Sequence, residues 1–183
     1  MRDGTAVFLD RDGVINRRRP DHVKSWSEFE FLPGTLDALA ALHRTGARVV
    51  VVTNQAAVGR GLLREEDLAF IHAKMSEAVA AAGGWIERTY TCVHIPEVRC
   101  ACRKPGTALF AQASAELGIR LEFSLMVGDA PTDVEAARAA GCVPVLMAEN
   151  GEGGHRDGVA IVHQLSEVVA MFTQMRSGEL VPC

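Results

Sequence analysis

The chain has 183 residues, with 19 lysines and arginines against 23 acids, and its net charge of −4 leaves no footprint for nucleic acid or an anionic membrane. Its 48% hydrophobic content is ordinary, and no apolar stretch approaches the roughly 18 to 20 residues of a membrane span. The length is ample for one domain with a full core, and no apolar segment precedes the first strand, so a cytoplasmic enzyme or binding protein without a signal peptide is expected.

In chain order, Thr5–Leu9 is an apolar run without polar alternation, which predicts a buried strand. It ends abruptly in Asp10-Arg11-Asp12-Gly13. In a parallel α/β sheet the carboxyl end of a strand is where ligands bind. The i, i+2 spacing of Asp10 and Asp12 lets both face one side of an extended backbone. Two carboxylates that close can bind a hard cation and oppose each other's ionisation, which suits a nucleophile beside a protonated general acid. A solvated turn is the alternative for these residues alone. Asn16–Leu32 is too long for a tight turn, and long inserts at strand ends are often binding loops. Its Arg17-Arg18-Arg19 run is either a solvated basic turn or an attractor for an anionic substrate.

Thr35–Arg44 has helical spacing, and Arg48–Thr53 is a second buried strand. Thr53-Asn54-Gln55, followed by a loop with glycines, offers donors to phosphate oxygens, although no Walker loop is present. Arg64–Ala82 is a helix stopped by Gly83-Gly84, and Tyr90–Ile95 a third strand. Three of the five cysteines then crowd into Cys92, Cys100 and Cys102, with His94 between them. Such crowding without export signals favours a metal over disulfides, and Cys3His is a structural zinc set with no open position. Buried free thiols are the alternative. A clamp at Cys102 would hold Lys104, which can neutralise a phosphate or a nucleophilic aspartate.

Thr107–Leu117 is a helix, and Leu125–Gly128 a strand that again ends in an acid, Asp129. Pro131–Ala140 is a helix with Asp133 on its first turn, and Cys142–Met147 a fifth strand. Glu149–Gly158 reads as a loop, Ala160–Val162 as a short strand, Leu165–Met175 as a helix, and the residues beyond as frayed. The alternation predicts an α/β fold, a mostly parallel sheet with helices on both faces. Three strand ends supply carboxylate, hydroxyl and carboxylate, and one loop supplies a lysine. A hard divalent cation among oxygen ligands would be magnesium, and the set suits attack on phosphorus.

The motifs DRDGVIN, TNQ…GRG, CRKP and VGDxxxD, in this order, resemble the haloacid dehalogenase superfamily of phosphatases. The CxH…CxC insert narrows the resemblance to the subgroup acting on heptose bisphosphates and histidinol phosphate. It covers about Val7 to Gly141. It implies a Rossmann-like three-layer sandwich without a large cap domain, residues 1–183 forming one phosphatase domain with a zinc loop at about 92–102. Asp10 would be the nucleophile and Asp12 the general acid, then base. Magnesium would be held by Asp10, the backbone carbonyl of Asp12, and Asp129. Thr53 and Lys104 would stabilise the phosphoryl group, and Cys92, His94, Cys100 and Cys102 would bind zinc. Arg103 would contact substrate, Asn16, Arg18, Arg19, Asp21 and His22 would line the sugar site, and Asn54, Gln55, Ala56 and Ala130 fall at further substrate-contacting positions. The chain departs from similar enzymes at Ala57, at Ala130, in a shorter zinc loop and in RRRPDHV, all near the leaving sugar.

The expected substrate is a small phosphorylated sugar, D-glycero-D-manno-heptose 1,7-bisphosphate cleaved at its 7-phosphate, with histidinol phosphate as the alternative. Arg103 and the basic run favour a second anionic group over a cationic amine. A receiver-type signalling domain, which holds a stable phosphoaspartate, is the alternative of another class. Asp12 argues against it, since a general base speeds dephosphorylation. A monomer is expected, with neither nucleic acid nor membrane as partner.

Overall fold

The computed structural model describes residues 4–148 and 154–177. Its centre is β1 (Ala6–Leu9), in which all four residues are buried. Alternate residues of so buried a strand feed two opposite cores. Val7 and Leu9 join Val49, Val51, Leu125 and Val127 on one face, whereas Ala6 and Phe8 join Val50, Val52 and Met126 on the other.

The sheet has seven strands in the order β3-β2-β1-β4-β5-β7-β6. Around β1 these are β2 (Arg48–Asn54), β3 (Arg88–Cys92), β4 (Leu125–Gly128), β5 (Val143–Met147), β6 (Gly154–Arg156) and β7 (Val159–Val162). All pairings are parallel except that of β6 with β7. Helices α1 (Thr35–Arg44), α3 (Glu65–Ala81) and α6 (Leu165–Ser177) cover the first face through stripes such as Leu68, Ile71, Met75 and Val79. Helices α4 (Ala108–Leu117) and α5 (Pro131–Ala140) cover the second, where Phe8 meets Phe110 edge to face at 5.2 Å. The result is a Rossmann-like three-layer sandwich, as expected.

Several local expectations change. The third strand begins at Arg88 and stops at Cys92 rather than spanning Tyr90–Ile95, because its register is set by pairing with β2 from Val50 to Asn54. A four-residue helix, α2 (Ala56–Gly59), follows β2 where a loop was expected. Within the expected loop Glu149–Gly158, residues 154–156 form an edge strand, and 149–153 lie outside the described residues. Helix α6 runs two residues past Met175, and residues 178–183 also lie outside the described residues.

The Asn16–Leu32 segment is an anchored insert. Val23 and Phe29 are buried, and Trp26 stacks on Phe29 at 5.0 Å, with Phe31 edge-on to both. Among the described residues no strand is followed by a large inserted element; the longest connections leaving the carboxyl ends of the strands are this insert after β1, the stretch with α2 after β2 and residues 93–107 after β3.

Candidate active site

The strand order reverses direction between β1 and β4, and such a switch point opens a crevice at the carboxyl ends of the strands. Asp10 leaves β1 into that crevice and Asp129 leaves β4 beside it. Asp133, on the first turn of α5, completes a cluster with Asp10 and Asp129 in which one carboxylate oxygen from each lies within 4.8 Å of the other two.

Two glycines make this proximity possible. A Cβ on Gly13 would sit 1.9 Å from Asp129 Oδ2, and one on Gly128 would sit 2.2 Å from the Asp133 Cβ. Gly13 also has φ +85°, a conformation that disfavours any side chain.

Lys104 reaches the cluster from the opposite loop and is 2% exposed. An ammonium has three protons, and each has an acceptor: Asp133 Oδ1 at 2.8 Å, Val52 O at 2.8 Å and Asp10 Oδ1 at 3.1 Å. Burial works against its charge, but Asp10 and Asp133 outweigh burial and lift its pKa above the usual lysine range. Asn54 holds the Lys104 backbone from both sides, accepting from its N–H at 3.1 Å and donating to its carbonyl at 3.2 Å. Asp133 Oδ2 accepts from the Ala130 N–H at 3.0 Å, so this acid caps α5 and holds Lys104 together.

Burial, with the neighbouring carboxylates, pushes Asp10 upward against the pull of Lys104. Burial likewise raises Asp129 to about 6, although Arg18 pulls the other way. Arg18 Nη2 donates to Asp129 Oδ1 at 2.9 Å. Three carboxylates thus meet two cations, Lys104 and Arg18. One negative charge is left over where oxygen ligands converge, and that donor set fits a hard divalent cation.

Asp12 turns the other way. Its carboxylate accepts from Arg11, from Asn16 Nδ2 at 2.9 Å and from Gln55 Nε2 at 2.7 Å. Burial raises its pKa, but the Arg11 charge and these hydrogen bonds prevail and hold it below the usual range, so Asp12 stands here as the carboxylate and not as the protonated acid expected beside the nucleophile. Gln55 also donates to Thr53 Oγ1 at 2.9 Å. The side chains of Asn54 and Gln55, expected to contact substrate, are therefore engaged inside the protein. Ala56 is buried at the start of α2, and Ala130 precedes α5 beside Asp129.

The basic run divides. Arg17 pairs with Glu30 at 3.2 Å and Arg19 with Asp21 at 3.2 Å, while Arg18 alone of the three meets the acid cluster. Asp21 also pairs with Lys24 at 2.7 Å, and the His22 carbonyl accepts from Lys24 at 3.2 Å. Beside Asp129 and Arg18 lies a cleft of about 660 Å³, lined also by Gly13, Thr35, Leu146 and His163. Its far wall, from β5 and the start of α6, carried no sequence signal.

At the end of β3, Cys92, His94, Cys100 and Cys102 converge, their four ligand atoms within 4.8 Å of one another. The thiol–thiol separations are 3.3 to 3.6 Å and His94 Nδ1 lies 3.3 Å from Cys102 Sγ. A tetrahedron of ligands at about 2.3 Å from its centre has edges of roughly 3.8 Å. The set is therefore a compact, closed four-ligand arrangement. Arg103, next along the chain, donates to the His94 carbonyl at 3.2 Å.

Two residues that the sequence reading passed over complete the picture. Arg11 is 0% exposed between the two acids, and His72 on α3 lies 3.2 Å from it. His72 follows Leu68 by four residues and precedes Met75 by three, so a polar residue on an apolar stripe was the available signal.

A family model described as HAD-hydrolase-like matches residues 101–174. The chain is 37% identical over 174 residues to a D-glycero-beta-D-manno-heptose-1,7-bisphosphate 7-phosphatase of Bordetella bronchiseptica, covering 92% of this chain and 97% of that one. It is 38% identical over 162 residues to a D-glycero-alpha-D-manno-heptose-1,7-bisphosphate 7-phosphatase of Mycobacterium tuberculosis, covering 83% and 84%. The crystal structure of a B. bronchiseptica D,D-heptose 1,7-bisphosphate phosphatase with magnesium and phosphate superimposes with a TM-score of 0.85 at 36% identity, covering 93% of this chain and 98% of that one.

Proposed function

Because this chain belongs to the heptose-bisphosphate phosphatase family of HAD-like hydrolases, it is a phosphatase, and we propose that it removes the 7-phosphate of D-glycero-D-manno-heptose 1,7-bisphosphate through an aspartyl-phosphate intermediate. The observation that carries the mechanism is the meeting of Asp10, Asp129, Asp133 and Lys104 at one end of the sheet. Asp10 attacks phosphorus and the bond to the leaving sugar oxygen breaks, while Asp12, having taken up a proton as the anionic substrate binds beside it, gives that proton to the leaving oxygen. Asp12 then takes a proton from the water that displaces phosphate from Asp10. Lys104 and Thr53 neutralise and orient the phosphoryl oxygens.

Magnesium would be held by Asp10, the Asp12 carbonyl and Asp129, and when bound it supplies charge neutralisation at the phosphoryl group. Asp133 keeps Lys104 in place. Zinc is the metal for Cys92, His94, Cys100 and Cys102, where it would close the loop ahead of Lys104 without taking part in chemistry. Arg18 supports a bisphosphate substrate, since it reaches the acid cluster with its side chain 56% exposed. The cleft beside it has room for the sugar. The same reading has residues 1–183 act as one domain, a monomer in the cytoplasm, on a small sugar with no nucleic acid or membrane partner. The net charge of −4 weighs against a nucleic-acid partner, and among the described residues no helix is long and apolar enough to cross a membrane.

Catalytic efficiencies on both anomers of the heptose bisphosphate, on other sugar phosphates and on histidinol phosphate test the substrate. The bisphosphate is expected to lead, and Arg18→Ala to narrow its margin by about 10-fold, the scale of one lost charge-assisted contact. A lead for histidinol phosphate overturns the choice.

A further inference from the structure

Arg11 presents a contradiction in purely structural terms. It is 0% exposed, and a buried ion pair is usually no more stabilising than apolar packing of equal volume. An arginine keeps its charge and only donates. Among the described residues its Nε is buried without a partner, and all its side-chain hydrogen bonds come from the two amino groups. Nη2 meets both Asp12 oxygens, at 3.1 and 3.0 Å, and Gln55 Oε1 at 2.9 Å.

Its other amino group, Nη1, lies 3.2 Å from His72 Nε2, so that nitrogen must be the unprotonated one, accepting from the guanidinium. The Phe29 ring lies 5.9 Å from the guanidinium carbon and closes the pocket from the insert side. Gln55 is fixed by the same arginine, and its own Nε2 returns to Asp12 Oδ2 at 2.7 Å. Asn16 secures Asp12 Oδ1 at 2.9 Å. Both oxygens of Asp12 are thereby held, while the side chain stays 23% exposed. A free aspartate at that strand end would rotate about two side-chain torsions.

We propose that Arg11 is a positioning residue which, braced by His72 and joined to Gln55, fixes the Asp12 carboxyl in one orientation towards the leaving oxygen, Asp12 taking up the proton it gives there only with the anionic substrate in place. The proposal rests on the reading of Asp12 as the general acid, and the test separates the two. For a phosphomonoester, kcat/KM reports the steps up to departure of the leaving group. A sugar alkoxide needs a proton as it leaves, whereas the acetate leaving from acetyl phosphate does not.

The measurement is kcat/KM on the heptose bisphosphate and on acetyl phosphate for the wild type, Asp12→Asn, Arg11→Met and Gln55→Leu. Asp12→Asn is expected to fall far more on the sugar than on acetyl phosphate. Arg11→Met is expected to show the same selectivity, losing about 100-fold on the sugar and less than about 10-fold on acetyl phosphate, the scale of a general-acid contribution. Gln55→Leu, which leaves Arg11 in place, is expected to show it more weakly and decides the matter if Arg11→Met does not fold. Equal losses on both substrates in the folded variants, with Asp12→Asn still selective, overturn the proposal and leave the role of Asp12 standing. Equal losses in Asp12→Asn remove that role and the proposal with it.

Discussion

Lys104 is the residue on which the site's electrostatics turn. Its three protons are all committed within the protein, two of them to Asp10 and Asp133, so any phosphate that arrives must share it with its existing partners. His72, beside Arg11, makes a different contribution, to stability. Burial, reinforced by the Arg11 charge, depresses His72 to about 3. A histidine with a depressed folded pKa favours the folded state fully above the unfolded value of about 6.5 and loses that advantage as pH falls towards the folded value. Asp129 acts in the opposite sense, because its raised pKa lets the folded state gain protons first as pH drops through about 6. Comparison of the wild type with His72→Gln isolates the histidine. Denaturant unfolding at pH 7 and pH 5 is expected to show the wild type losing about 2 kcal/mol more than the variant over that interval. Equal losses would show that His72 is not held neutral.

Asp10, Asp12, Thr53 and Asp129 were legible in the sequence because each stands where an apolar run stops. Lys104 was legible because it follows a cysteine cluster. The amides of Asn54 and Gln55 were harder to place, since an amide donates and accepts and serves an interior partner as well as a ligand. Arg11 and His72 escaped notice because their work lies in holding other side chains.

At the scale of elements, the connection from β3 to α4 links the two metal-type clusters. Cys92 ends β3 in register with Asn54 of β2, and Cys102 stands two residues before Lys104. Asn54 clamps the Lys104 backbone, so the four-ligand set and the amide fix the same short stretch from its two ends. This loop contains few apolar groups, and a metal held by the four ligands would replace the core it lacks. Cys100→Ser is expected to abolish zinc in the purified protein and lower the melting temperature. It is also expected to reduce kcat more than it raises KM, as Lys104 loses its fixed position. Full activity and unchanged melting in zinc-free protein would contradict this. The sequence marked the loop plainly through ligand spacing. It did not mark α2 or β6, since four residues of helix and three of edge strand are too short to show a period. The end of β3 depended on its partner strand, which local pattern does not contain.

Across the whole molecule, one topological fact organises the rest. Because β1 and β4 are neighbours although distant in sequence, Asp10 and Asp129 meet at the reversal of strand order, and β2 brings Thr53 to the same edge. The apolar strands, the alternation of elements and their layering were all readable, as they follow from hydrophobic period. The far wall of the cleft beside Asp129 was not, because it comes from the end of β5, from His163 and Gln164 and from the start of α6, where a lone histidine among apolar residues forms no motif. The central claim is that this edge assembles one phosphoryl-transfer site with Asp10 as nucleophile. Quenching the enzyme during turnover and reducing any acyl phosphate with borohydride converts the phosphorylated aspartate to homoserine, which peptide mass spectrometry locates. The account predicts homoserine at position 10 in the wild type, and neither trapped product nor turnover in well-folded Asp10→Asn; trapping at another acid, or near-normal hydrolysis by the variant, would contradict it.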